Sequence, residues 1–207
     1  MALGTVIRSF AAPPTAPMSL AFDGRWLWHV DYDNATVYQI DPETGTVVRT
    51  FAAPGTKPTG ITFDGRALWI ACFDDNAIYQ VDPETGTVIR AIATVGNWQR
   101  GLTWDGRTLW HSDSGLLTIM QIDPATGTVI RSFARPGTDP RDLAFDGRTL
   151  WHCDSGSDLI YQIDPETGTV IRSVATPSKL PSGLTFDGRV LWHCDYNTDL
   201  IYQIEVA

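Results

Sequence analysis

Four histidines, each with an aspartate two residues on, are the first groups in this chain whose types and spacing suggest chemistry. His29, His111, His152 and His193 are all the histidines present, and each sits in Leu-Trp-His-x-Asp ahead of Asp31, Asp113, Asp154 or Asp195. A fifth copy carries Ile70 and Cys72 at those two places. Imidazole titrates near neutrality and ligates zinc, so general-base or metal chemistry is the obvious thought. Geometry opposes a shared ion, because sheets stack about 10 Å apart and four imidazoles on separate strands cannot all approach to about 2.0–2.1 Å. The pattern instead predicts a repeated His–Asp contact within each copy, with Thr62, Thr103 or Thr185 nearby, satisfying buried polar groups. Asp31–Asn34 and Asp154–Asp158 offer hard oxygens to calcium, but neither completes an EF-hand loop. No metal and no cofactor is expected, and no nucleophile-elbow, Walker or His-Glu-x-x-His motif occurs.

A second group of residues breaks the symmetry that the histidines keep. The stretch Val95-Gly96-Asn97-Trp98-Gln99-Arg100 lacks the prolines of its counterparts and gains an aromatic ring and a cation. Arg141 and Asp142 occupy the matching place in the next copy, and Met18 and Ser19 in the first. Two guanidiniums beside an aromatic ring suit a carboxylate or other anion, since arginine presents two parallel N–H donors. Trp98, Arg100, Arg141, Asp142, Met18 and Ser19 are therefore the candidate ligand-binding set.

The elements that position both groups follow from the repeat. Trp28, Trp69, Trp110, Trp151 and Trp192 are spaced 41 residues apart, as are the aromatic-Asp-Gly-Arg runs beginning at Phe22, Phe63, Trp104, Phe145 and Phe186. Each repeat holds four short β-prone runs, in the first copy Leu20–Phe22, Leu27–Asp31, Val37–Asp41 and Thr46–Phe51. We name these positions a, b, c and d. Asp-Gly between a and b, and Asp-Pro-Glu-Thr-Gly between c and d, are tight-turn signals. Four strands at a period near 40 predict an all-β, five-bladed β-propeller. The last repeat ends without its d run, and residues 4–10 repeat the sequence of residues 127–133. The N-terminal strand is thus expected to complete the last blade, giving one propeller domain over residues 1–207.

The two hairpins barely vary between copies, whereas the d–a and b–c connections do, and both of the latter fall on one face. One specific site needs unlike groups around it, so that face is the expected functional one. Ten of the 15 cations fill two symmetric sets. The five that do not are Lys57, Arg100, Arg135, Arg141 and Lys179, all in d–a connections, which predicts an irregular cationic rim inside an acidic collar of b–c aspartates.

With 15 Lys and Arg against 24 Asp and Glu the formal charge is -9, which opposes a nucleic-acid partner. No apolar run reaches the roughly 20 residues a membrane helix needs. The first ten residues lack the pattern of a signal peptide. Cys72, Cys153 and Cys194 show no disulfide or zinc spacing and are expected as buried thiols.

The run Gly-Leu-Thr-Trp-Asp-Gly-Arg-Thr-Leu-Trp-His-Ser-Asp (101–113) and the Asp-Pro-Glu-Thr-Gly-Thr-Val turns resemble repeats of glutamine cyclotransferases. More loosely, they resemble YVTN and NHL propeller repeats. The first resemblance implies a five-bladed propeller that converts N-terminal glutamine to pyroglutamate, using a glutamate on a second strand. The matching stretches here, 27–31 and 191–195, carry His29 and His193 at that position. The expectation drawn from the residues is a non-catalytic binding or interaction propeller, a monomer, taking a small anionic or peptidic ligand at the channel mouth. One alternative is a cyclotransferase-like enzyme with His29 or His193 as base. Another is a symmetric designed or amplified scaffold without evolved function.

Overall fold

The structure is a computed structural model that describes residues 3–13, 16–96 and 98–206; Asn97 of the divergent loop lies outside them. Among the described residues, twenty strands form five four-stranded antiparallel sheets. After β1 (Val6–Ala11), the first blade takes β2 (Pro17–Phe22), β3 (Leu27–Asp31), β4 (Thr36–Ile40) and β5 (Val47–Ala52). The second takes β6 (Pro58–Phe63), β7 (Leu68–Cys72), β8 (Ala77–Val81) and β9 (Val88–Ala93), with a 3₁₀ turn at Phe73–Asp75. The third holds β10 (Gln99–Trp104), β11 (Leu109–Asp113), β12 (Thr118–Ile122) and β13 (Val129–Ala134). The fourth holds β14 (Pro140–Phe145), β15 (Leu150–Asp154), β16 (Leu159–Ile163) and β17 (Val170–Ala175). In the fifth, β18 (Pro181–Phe186), β19 (Leu191–Asp195) and β20 (Leu200–Ile204) are completed by β1.

Ring closure occurs where the sequence placed it. β1 runs antiparallel to β20, with Arg8 opposite Gln203 and Phe10 opposite Ile201. Gly4 N–H donates to the Glu205 carbonyl at 2.9 Å and Glu205 N–H donates to Thr5 at 2.9 Å, so the ladder extends past the strand itself. The innermost strands β2, β6, β10, β14 and β18 touch in a closed circle around the axis.

One carboxylate per repeat links turn to core. Asp105 Oδ1 accepts the N–H groups of Arg107 and Thr108 at 2.8 and 2.6 Å, fixing the a–b hairpin. Its Oδ2 accepts the Trp110 indole N–H at 2.8 Å. Gly106 takes φ +95° inside that hairpin, a backbone region open to glycine and strained for other residues. All five repeat tryptophans are buried, and four of the d-strand arginines lie over their rings, among them Arg8 over Trp192 at 5.1 Å and Arg90 over Trp69 at 5.0 Å. The ten symmetric arginines thus belong to the scaffold, five on hairpins and five on outer strands.

The pairing of a with b shifts register near the start of each inner strand, between Pro17 and Ser19, Gln99 and Leu102, and Pro140 and Leu143. Bulges of this kind turn side chains out of the regular alternation. Met18, Arg100, Arg141 and Asp142 all lie within these irregular steps. The positions that vary most in sequence are therefore those the backbone frees from the sheet.

Candidate active site

The d–a and b–c loops surround a cavity of about 290 Å³ lined by Met18, Tyr32, Arg100, Arg141, Leu180 and Tyr196. Three sequence candidates meet there. Arg100 Nε donates to Ser114 Oγ at 3.3 Å, and its guanidinium lies 5.7 Å from the Phe73 ring centre. Arg141 Nε donates to Ser155 Oγ at 2.8 Å and its Nη2 to Asp139 Oδ2 at 2.8 Å. Burial, and then the positive charge of Arg141, push the Arg100 guanidinium below its ordinary pKa. The two cations therefore share one partly desolvated space, where an added anionic or carbonyl oxygen interacts more strongly than in water.

Tyr32 and Tyr196, which the candidate set omits, occupy one repeat position, the residue after the b-strand aspartate. Around the ring that position reads Tyr32, Phe73, Ser114, Ser155, Tyr196. Three blades supply aromatic rings, and the two that carry arginine supply the serines that hold it. The signal was present in the repeats, in a loop column read only for its acids.

Ser19 and Asp142 lie at the channel centre, both fully buried. Asp142 Oδ2 accepts from Ser19 Oγ (2.7 Å), Leu184 N (2.9 Å) and Leu20 N (3.3 Å). Its Oδ1 accepts from Leu143 N (2.9 Å) and Leu102 N (3.2 Å). Burial pushes this carboxyl up to about 7, against the opposite pull of those hydrogen bonds.

Trp98 stands apart from the mouth. It is 55% exposed and borders a different hollow of about 230 Å³, with Gly96, Asp113, Gly115 and Leu116. Of the five cations expected at the rim, Arg100 and Arg141 line the cavity. Lys57 pairs with Asp74 at 3.2 Å, and Arg135 is folded inward to donate to the carbonyls of Gly137 and Thr138 at 2.8 and 3.0 Å. Of the expected acidic collar, Asp31, Asp154 and Asp195 are buried rather than open, as is Asp113, and their oxygens accept turn N–H groups such as Leu116 on Asp113 (2.7 Å) and Thr198 on Asp195 (2.9 Å).

The predicted His–Asp contact is not a hydrogen bond: Oδ1 of each aspartate accepts N–H groups of its own turn, while Asp195 Oδ2 makes no hydrogen bond among the described residues. His111, His152 and His193 place Nδ1 instead against the inner-strand carbonyls of Gly101 (3.3 Å), Asp142 (3.2 Å) and Gly183 (3.0 Å). All four histidines are fully buried, and desolvation lowers each to about 4. His29, His152 and His193 stack on Tyr38, Tyr161 and Tyr202. Among the described residues no three His, Cys, Asp or Glu side chains converge as a metal site would require. The three cysteines are free and buried, as expected.

The glutamine cyclotransferase family model matches residues 31–185, well over half of the 207. The chain belongs to the glutamine cyclotransferase family. Among solved structures, the glutaminyl cyclase of Myxococcus xanthus aligns with TM-score 0.84 at 16% identity, over 98% of this chain and 95% of that one. Virginiamycin B lyase from Staphylococcus aureus aligns at 0.58 and 20% identity, over 96% of this chain and 69% of that one. Kuenenia stuttgartiensis hydrazine synthase aligns at 0.55 and 24% identity, over 92% and 59%. At these identities the likeness is one of fold. No curated protein matches the chain. Membership of a cyclotransferase family overturns the expectation of a non-catalytic binding propeller and points to an enzyme. That expectation rested on histidine standing where the resemblance implies glutamate, but the absence of one group from one strand leaves the mouth's other groups free to act.

Proposed function

We propose that the chain cyclises N-terminal glutamine of a peptide, or glutamine itself, at the mouth between Arg100 and Arg141. The observation that carries this reading is the family match together with a cavity of about 290 Å³ that holds two cations. That volume is at the low end for ligand sites, about 300–1,000 Å³, and suits one terminal residue better than an extended ligand.

In the reaction the α-amine nitrogen bonds to the γ-amide carbon, the carbon–nitrogen bond of the amide breaks, and ammonia leaves with a proton from the α-amine. Two neighbouring guanidiniums disfavour an α-ammonium and so favour the neutral amine that attacks. The same N–H groups face the γ-carbonyl oxygen as it gains negative charge, the main route by which fixed donors accelerate acyl transfer. We assign the amine proton to Asp139, a half-exposed carboxylate bonded to Arg141 at 2.8 Å, which would return it to the leaving nitrogen. Tyr32 and Tyr196 wall the side chain. His29 and His193 are fully buried and do not line the cavity, so they are out of reach of that proton.

The test is incubation with a peptide bearing N-terminal glutamine, followed by mass spectrometry for loss of ammonia. Turnover above the spontaneous rate that falls in Arg100→Ala and Arg141→Ala is the expected result. A rate equal to the spontaneous background in the folded protein would refute the proposal.

A further inference from the structure

We propose that the centre of the ring is a receptor for a single carboxylate, which this chain fills with its own Asp142, and that the emptied site takes up a small free carboxylate such as formate. The inference is independent of any activity at the mouth.

The five inner strands face one another around the axis. Each is the edge of its sheet, and an edge carries backbone N–H groups with no strand to receive them. Here the symmetry brings five such groups to one level: Leu20, Ile61, Leu102, Leu143 and Leu184, one per blade, at the repeat spacing. Buried N–H groups left without an acceptor are costly, so something must accept all five. Four donate directly to Asp142, two on each oxygen. The fifth, Ile61, donates at 2.9 Å to Ser19 Oγ, whose own hydrogen goes to Asp142 at 2.7 Å. Ser19 thus relays the one amide the carboxylate does not reach.

The residue preceding these five amides is Ser19, Gly60, Gly101, Asp142 or Gly183. A Cβ on Gly101 would come within 2.4 Å of Asp142 Cα, and one on Gly60 within 2.6 Å of the Arg100 carbonyl oxygen. The centre therefore holds one carboxylate and one hydroxyl, with glycine opposite them. Both oxygens of a planar group are used, which a spherical anion cannot reproduce with the same donors. The only acidic side chain among the five supplies the acceptor that the fold requires.

Asp142→Gly gives blade four the residue of blades two, three and five, and leaves a carboxylate-sized space ringed by donors. The thermal midpoint is measured with sodium formate, sodium chloride and neutral formamide, with the wild type in each as control. The expected result is a lowered midpoint that climbs with formate by mass action, with little response to chloride or formamide. A formate effect no larger than on the wild type, or an equal recovery in chloride, would overturn the assignment. If the variant does not fold even with formate, Asp142→Asn decides by amide hydrogen exchange. Its amino group must face one pair of donors, so Leu20 and Leu184, or Leu102 and Leu143, should lose protection. Protection unchanged in all four would overturn the proposal.

Discussion

Ser19 Oγ lies 2.7 Å from Asp142 Oδ2, although the two residues are 123 positions apart and belong to blades one and four. The hydroxyl donates to the carboxylate and accepts from Ile61 in blade two, so one short bond ties three blades across the axis. Neither residue touches solvent.

Ser19→Ala removes that relay and leaves Ile61 N–H buried without an acceptor. Orphaning such a group costs about 1–3 kcal/mol. Urea denaturation should show a lowered midpoint with an unchanged slope, and a midpoint equal to the wild type would contradict the relay.

The pH dependence of stability has two opposing parts. The four histidines are lowered to about 4 from 6.5, so the unfolded chain binds more protons between those values and stability is lost as pH falls through that window. Asp142 is raised to about 7, so it works the other way, and its contribution declines as pH rises from about 4 to 7. Arg141, His152, Cys153, Cys194 and Ser19 are the polar and titratable groups around it. Asp195, also raised by burial, adds to Asp142, but the four histidines outweigh the two carboxyls, and stability should rise from pH 4 to 6.5. Asp142→Asn should steepen that rise, as seen in urea midpoints at successive pH values.

His193→Ile borrows the chain's own solution, since Ile70 fills the equivalent buried place in blade two. The variant should fold, lose one of the four titrating groups and show a shallower acid transition. Because His193 does not line the mouth, its kcat on a glutaminyl peptide should match the wild type; a loss with the fold intact would restore the histidine-base reading.

Arg141→Ala removes a donor aimed into the mouth. Loss of one such donor lowers kcat by about 10²–10³ fold. Trp98→Ala, in the separate hollow, should leave kcat unchanged and alter stability by less than about 0.5 kcal/mol. Steady-state ammonia release measures both, and equal effects would join the two hollows into one site.

Trp110→Ala empties a buried position and removes one of the three hydrogen bonds on Asp105 Oδ2, leaving those from Thr108 Oγ1 and Gln121 Nε2. Truncating a buried tryptophan costs about 3–5 kcal/mol. Calorimetry should show a large drop in thermal midpoint, whereas Arg107→Ala on the exposed hairpin should change little.

The sequence by itself determined the architecture. A fixed 41-residue period and Asp-Gly turns are local information that every copy repeats, and a d run found before the first repeat instead of after the last closes the ring. It also picked out the face and the irregular residues at the mouth, since symmetry makes departures visible. What it did not determine is which departures share a space. Trp98 and Arg100 are two residues apart and face different hollows, and Arg135 folds back into its own loop. Tyr32 and Tyr196 meet only because the ring closes, and Asp142 finds its partners in the inner strands of other blades. Those relations depend on the register shifts at the start of each inner strand and on the narrowness of a five-bladed channel. Both are properties of packed strands, and only the tertiary structure decided them.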